Sequence, residues 1–320
     1  MSAQPSDPHD PQLSWSMLHP RYVGLWLGLF TIWLLAFVPY QVRDKLALLI
    51  AKFMGRPGSS TRRRAEINLR LCFPDWSDAH REQVLRQMFA RAAQVSLAYG
   101  ILSVRSKSYL ERHIKLHGIE HLQPHLDAGT PVILLAPHNW AIEFAGVLLA
   151  SRGARWTAMM KPNPNPLMDW AMLLGRNRFK GKLFTRQHGI ERLLNQIRQG
   201  YVAYYLPDQD HGMAKSEYVP FFATHKATLP GLGKMVEKTG AVVVPMYASY
   251  DPASGQFAGH IQAPMTSVPS GSPQGDARLL NQQLEAMISA DPTQYMWILK
   301  LLDSRPEGEP SPYRRPKNTH

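Results

Sequence analysis

A single cysteine, Cys72, stands among 320 residues, so no disulfide can form within the chain and nothing marks a fold built for an oxidising compartment. In the run Leu71-Cys72-Phe73-Pro74 it reads as a small buried apolar residue. Acidic residues are scarce: 24 Asp and Glu stand against 36 Lys and Arg, for a net charge of +12, which favours an anionic partner. Zinc-finger, RNP-type and helix-turn-helix signatures are missing. That argues against nucleic acid and leaves anionic lipid or an acidic protein. Internal repeats and low-complexity tracts are absent, and the polar, slightly acidic start lacks the basic opening of a signal peptide. No Ser or Cys sits in a G-x-S-x-G elbow, so a covalent acyl-enzyme has no evident nucleophile.

Long uncharged runs are also few, and one stands out. Residues 23–40 carry no charge, and as one helix they would reach roughly 27 Å, just under the ~30 Å of a bilayer core. Trp26 and Trp33 lie within the run, and Tyr22 and Tyr40 at its ends suit interfacial anchors. Arg21 alone precedes it, whereas Arg43, Lys45, Lys52, Arg56 and the run Arg62-Arg63-Arg64 follow, which by the positive-inside rule puts the body in the cytoplasm. The same cluster would lie against anionic head groups. The expected organisation is a polar tail at 1–20, a transmembrane or membrane-anchor helix at 21–43, an α/β domain at 44–303 and a tail at 304–320.

Beyond that run, apolar strand-like stretches alternate with amphipathic ones. Residues 78–103 read as a helix capped by Ser77, and residues 131–136 as a strand covered on both faces. Further strands are expected at 114–116, 156–160, 201–206 and 241–246, with helices at 167–174, 190–199, 229–238 and 277–288. This rhythm predicts a single, mostly parallel or mixed sheet flanked by helices. In such sheets ligands bind beyond the carboxyl ends of the strands. Three polar groupings lie there: His138, the segment leading to Arg176 and Arg178, and Asp208 with Asp210.

His138 and Glu143, five residues apart, would stand about 140° apart on a regular helix, which disfavours a shared metal. With His138 in the turn and Glu143 in the first helical turns, the carboxylate could fold back on the imidazole as a base and its partner. A structural histidine is the alternative. Met159, Met160, Met168 and Met172 could line an acyl groove or simply fill a core.

The segment PHNWAIE at 137–143 matches the H-x4-D/E motif of glycerolipid acyltransferases. TRRRAEINLRLCFP at 61–74, GYVAYYLPDQDHG at 200–212, SEYVPFFATHKATLP at 216–230 and QYMWILKLLDSRPEGE at 294–309 resemble the lipid A late acyltransferases. The last of these and YYLPDQDHG are closest to the myristoyl-type branch, because Leu299, Lys300, Leu301 and Leu302 stand where the lauroyl-type branch is richer in arginine. The resemblance implies transfer of a fatty acyl group, myristoyl in that branch, from acyl carrier protein to the 3-hydroxyl of an acyl chain on a Kdo2-lipid A precursor. It implies an inner-membrane enzyme with its catalytic domain on the cytoplasmic side. It further implies His138 as base, Glu143 as its support, and no cofactor beyond the carrier's phosphopantetheine. Arg176 would hold the oxyanion or a phosphate, Arg178 less so. Asp208 and Asp210 would order Arg176 or the surrounding loop, and Lys226 and His225 would lie near the substrate. Lauroyl or 3-hydroxyacyl transfer, or glycerolipid acylation from acyl-CoA, remain open at this level.

Overall fold

In a computed structural model, residues 8–314 are described. Among the described residues twelve α-helices run in chain order: α1 (Val23–Leu35), α2 (Tyr40–Met54), α3 (Ser60–Cys72), α4 (Asp78–Ala98), α5 (Gly100–Val104), α6 (Lys107–His113), α7 (Gln123–Asp127), α8 (Ile142–Ser151), α9 (Pro166–Arg176), α10 (Ile190–Arg198), α11 (Gly231–Thr239) and α12 (Pro273–Ala290). The strands are β1 (Ile114–His117), β2 (Val132–Leu135), β3 (Trp156–Met160), β4 (Lys182–Thr185), β5 (Val202–Tyr205), β6 (Glu217–Phe221), β7 (Thr224–Thr228), β8 (Val242–Asp251) and β9 (Gln256–Ile261).

Seven strands form one mixed sheet in the order β1-β9-β8-β2-β5-β3-β4. From β8 to β4 all neighbours are parallel, whereas β9 runs against β8 and carries β1 parallel to itself. β6 and β7 form a separate antiparallel hairpin. The apolar run Val132 to Leu135 is buried throughout because β2 lies between β8 and β5 with helices on both faces. Its alternation divides it between two cores. Ile133 and Leu135 join the side chains of α2, α3, α4, α11 and α12, while Val132 and Leu134 join those of α5, α6 and α8.

The expected membrane-spanning helix does not form. α1 ends at Leu35, and after a turn a second helix starts at Tyr40 with Pro39 as its N-cap. Pro39 accounts for the break, since a proline ring clashes with the carbonyl four residues earlier, here that of Leu35, and has no N–H to continue the ladder. Thirteen residues reach only about 20 Å. Among the described residues no helix is long and apolar enough to cross a membrane. The aromatic residues of the run, and the two tyrosines expected as interfacial anchors, contact the rest of the protein instead. Trp26 and Trp33 meet Trp170 of α9 with ring centroids 5.7 and 6.5 Å apart, Tyr22 is buried, and Tyr40 donates to the Ala253 carbonyl at 2.8 Å. α1 also lies against Gly100, where a Cβ would stand 2.3 Å from the Ile32 carbonyl oxygen.

Several basic residues assigned to head groups are used internally. Arg43 is buried. Arg62 bridges Glu66 and Glu82, Arg63 donates to the Tyr313 carbonyl and Arg64 to that of Ile298. Nor are the described parts of the two ends free tails. His9 pairs with Asp169 at 2.7 Å, and Tyr313, buried, donates to Asn68 at 2.5 Å.

Candidate active site

β2 and β5 lie side by side with Leu135 opposite Tyr205. Each strand then leaves the sheet through an apolar residue and a proline, Ala136-Pro137 and Leu206-Pro207. The next residue on each is the one that matters. Parallel register therefore brings His138 and Asp208, three residues past a paired position on either strand, to the same place beyond the sheet's carboxyl edge. His138 Nδ1 hydrogen-bonds Asp208 Oδ1, and the His138 backbone N–H donates to Oδ2 at 2.8 Å. The Tyr295 hydroxyl donates to the same Oδ2 at 2.8 Å. The segment carrying Tyr295 is laced to the turn: Met296 N–H donates to the His138 carbonyl at 2.9 Å and Trp140 N–H to that of Gln294 at 3.0 Å.

Asp208 is fully buried, whereas the His138 side chain keeps 22% of its exposure. Its other ring nitrogen, Nε2, faces the Gln209 side-chain amide at 3.3 Å. Burial favours the neutral imidazole, but the charge and hydrogen bond of Asp208, reinforced by the more distant Glu143, outweigh it and raise the His138 pKa above a histidine's ordinary value. Burial likewise pushes the Asp208 carboxyl up, and His138, its backbone N–H and Tyr295 pull it below the usual range. Asp208 thus stays a carboxylate and fixes the proton of a neutral His138 on Nδ1, leaving Nε2 with its lone pair outward.

The expected pairing of Glu143 with His138 gives way to a different one. Glu143, in the first turn of α8, is gripped by Arg176 from the last turn of α9, whose Nε stands 2.9 and 3.0 Å from the two carboxylate oxygens and whose terminal nitrogen bonds as well. A fork-shaped guanidinium suits a carboxylate better than an imidazole can, and Asp208 already occupies Nδ1. Despite burial, Glu143 and Tyr99 hold Arg176 firmly protonated. Arg176 is therefore ordered by Glu143 and not by Asp208.

The remaining candidates lie elsewhere. Arg178 donates to the Leu102 and Arg105 carbonyls at 3.2 and 2.5 Å, closing α5. Asp210 holds its loop, accepting from Gly212 N–H at 2.9 Å and from Ser304 through its N–H and hydroxyl at 2.7 Å each. His225 is exposed, and Lys226 is fully buried, out of a substrate's reach. Tyr295, Gln209 and Tyr99 were not anticipated. Only the shared apolar-Pro-polar ending of β2 and β5 could have pointed to Asp208 as the histidine's partner.

Glu143 and Arg176 also form the polar part of the wall of a narrow, otherwise apolar cavity of about 30 Å³ under α8, lined by Leu134, Gly146, Val147, Leu149, Trp156 and Tyr204 among others. None of Met159, Met160, Met168 and Met172 lines it; Met159 and Met160 pack with core clusters.

A histidine held by a buried carboxylate beyond the carboxyl ends of two parallel strands is an arrangement suited to proton transfer. The chain belongs to the bacterial lipid A biosynthesis acyltransferase family, whose family model matches residues 10–304, and it is an acyltransferase. It is 42% identical over 301 residues to a lipid A biosynthesis acyltransferase of Haemophilus influenzae, covering 94% of either chain. It is 39% identical over 305 residues to the lipid A biosynthesis myristoyltransferase of Escherichia coli, covering 95% of this chain and 94% of that one. To the lauroyltransferase of the same organism it is 30% identical over 314 residues, covering 95% and 99%.

Proposed function

We propose that the protein transfers a myristoyl group from acyl carrier protein to the 3-hydroxyl of an acyl chain on a Kdo2-lipid A precursor. The observation that carries this reading is the outward-facing Nε2 of His138, with Nδ1 held by a buried carboxylate; Glu143 and Arg176 stand in the wall of an apolar cavity. The acceptor hydroxyl gives its proton to Nε2 as its oxygen attacks the thioester carbonyl carbon. The oxyanion that forms is met by donors near the base, for which the Gln209 amide is the nearest candidate and Arg176 the fixed cation. The carbon–sulfur bond then breaks, and the leaving thiolate recovers the proton from the imidazolium. Glu143 fixes Arg176 at the cavity wall and adds charge that favours the imidazolium. This sequence requires no metal or bound cofactor. The myristoyl assignment is supported by the higher identity to the relative named for that chain than to the one named for lauroyl transfer. The carrier protein is supported by the +12 charge, which attracts an acidic donor.

Attachment to the cytoplasmic face of the inner membrane belongs to the same proposal, through a surface and not a span. Leu27, Phe30 and Leu34 of α1 continue through Phe37 to Val42, Leu49 and Phe53 of α2, all at least half exposed and at helical spacing. An apolar stripe of this extent is uncommon on a monomer facing water, and exposed Lys45, Lys52 and Arg56 border it, which suits anionic head groups. The test of function is mass spectrometry of the product from purified protein, acyl-carrier thioesters and the acceptor lipid, in the presence of chelator. A myristoyl gain on the lipid is expected. Exclusive use of acyl-CoA, or transfer to a glycerolipid only, would refute the assignment.

A further inference from the structure

β2 and β8 last pair at Leu135 and Pro245, yet β8 runs on to Asp251 with only β9 beside it. The edge that β2 no longer covers has N–H and carbonyl groups that need other partners in the interior. At Tyr250 a side chain supplies them. Gln294, 2% exposed, accepts from the Tyr250 N–H through Oε1 at 3.1 Å and donates to the Tyr250 carbonyl through Nε2 at 3.0 Å, the pair of bonds that a neighbouring strand would make. Nε2 also donates to Asp291 Oδ2 at 3.1 Å, so every polar atom of the carboxamide is engaged and its orientation is set. The Gln294 backbone, in contrast, belongs to the catalytic turn. Its carbonyl accepts from the Trp140 N–H at 3.0 Å, and the next residue, Tyr295, bridges Asn139 and donates through its hydroxyl to Asp208 Oδ2 at 2.8 Å. Met296 N–H then reaches the His138 carbonyl at 2.9 Å. One residue thus ties the far end of β8 to the loop that carries the base.

We infer that Gln294 is a positioning residue for the acyl transfer: its carboxamide stands in for a strand at the end of β8 and thereby sets where Tyr295 meets Asp208 and where Met296 meets His138. This rests on His138 being the base. Asp208 Oδ2 is held by two donors, the His138 N–H and the Tyr295 hydroxyl, and only the hydroxyl comes from outside the His138 turn. A segment released from β8 lets that hydroxyl drift, and hydrogen bonds weaken steeply once misaligned. Asp208 then directs more of its charge at the imidazole, which holds its proton more tightly, and Nε2 loses its aim at the acceptor hydroxyl. The charged groups that act on the ring, Asp208, Glu143 and Arg176, all remain, so both effects trace to position.

The full-length enzyme in mixed micelles provides the test, with Gln294→Met chosen because methionine keeps the length of the side chain and removes its donors and acceptor. In the folded variant kcat should fall by about 10- to 100-fold with KM for donor and acceptor little changed, the scale of a small misplacement of a catalytic group. The His138 titration midpoint, read by 15N-histidine NMR without substrate, should rise by about 0.5–1 pH unit, the worth of one hydrogen bond. Tyr295→Phe should raise it similarly, and the double variant should go no further than the larger single change, because both act through one bond. A glutamine that only holds the fold together would lower the melting temperature of Gln294→Met and leave kcat and the midpoint in place, and that result would overturn the inference. Should Gln294→Met not fold, hydrogen exchange in the wild type reads the same linkage: the amides of Tyr250, Trp140 and Met296 should open together as one unit, and a Met296 amide exchanging about 100-fold faster than that of Tyr250 would refute it. Neither the midpoint nor the exchange depends on turnover, so a failure here stays distinct from a failure of the acyl-transfer reading itself.

Discussion

Replacing Asp208 with asparagine preserves the shape of the side chain and removes its charge, and the hydrogen bonds around it determine which way the new amide turns. Oδ2 accepts from the His138 backbone N–H and from the Tyr295 hydroxyl, both at 2.8 Å, while Oδ1 meets His138 Nδ1. If the amide nitrogen took the Oδ2 position it would face the backbone N–H donor to donor, leaving a buried N–H unpaired at a cost of about 1–3 kcal/mol. The amide therefore turns its oxygen to the backbone and its NH2 to Nδ1. Nδ1 must then accept, and the imidazole proton moves to Nε2, the nitrogen that should take the acceptor's proton. A preference of that size holds the wrong tautomer in roughly 85–99% of molecules, a loss of about 5- to 150-fold. Losing the charge that stabilises the imidazolium brings the total fall in kcat to about 10³- to 10⁴-fold. The assay is product formation followed by mass spectrometry at saturating donor and acceptor, with circular dichroism and a thermal melt to establish folding. A folded Asp208→Asn enzyme within tenfold of wild-type kcat would refute the charge-and-tautomer reasoning.

His138→Ala should abolish transfer in a protein that still folds, since the ring is partly exposed and the backbone N–H and carbonyl that tie the turn to Asp208 and Met296 remain; wild-type-like turnover would exclude it as the base. Because Asp208 holds the His138 pKa above its ordinary value, kcat/KM of the wild type should fall as pH drops through a point above about 6.5, and in Asp208→Asn that limb should lie lower, as a pH series on both proteins would show. Gly146→Leu extends into the cavity toward Tyr204, whose ring lies about 3.5 Å from where a Cβ would stand, so competition between thioesters of different length should shift toward shorter chains, with unchanged selectivity counting against the cavity as the acyl site. Replacing Leu27, Phe30 and Leu34 together with serine should release the protein from anionic vesicles in flotation while leaving the α/β core folded; retention would place the lipid contact elsewhere.

The legible parts of the fold were those whose residues answer to local physics. Buried runs such as Val132 to Leu135 and Val242 to Met246 read directly as central strands because both their faces are covered. β4, β9 and the β6–β7 hairpin were not read, since Lys182, Thr185, Gln256, His260, Glu217 and Lys226 break their apolar patterns and only neighbouring strands and packed helices make them extended. The N-terminal run misled through composition: hydropathy recorded its apolar character and not the effect of Pro39 on Leu35. At the site, His138 was evident from its place after a strand. Its true partner depends on which strands are neighbours, and 70 residues separate His138 from Asp208. Glu143, five positions away in sequence, was the nearer acid along the chain but not the one in contact with the ring.

The lacing of residues 294–304 into the turn after β2 has a consequence for the order in which the enzyme comes into being. His138, Glu143, Arg176 and Asp208 leave the ribosome well before Tyr295, Met296 and Ser304, whose bonds to Asp208, His138 and Asp210 complete the loop walls. A nascent chain can therefore build most of the sheet and still lack the hydroxyl and the bridge that fix the base. A chain that stops just before residue 295 therefore lacks both the hydroxyl and the backbone bridge that hold Asp208 and His138 in place.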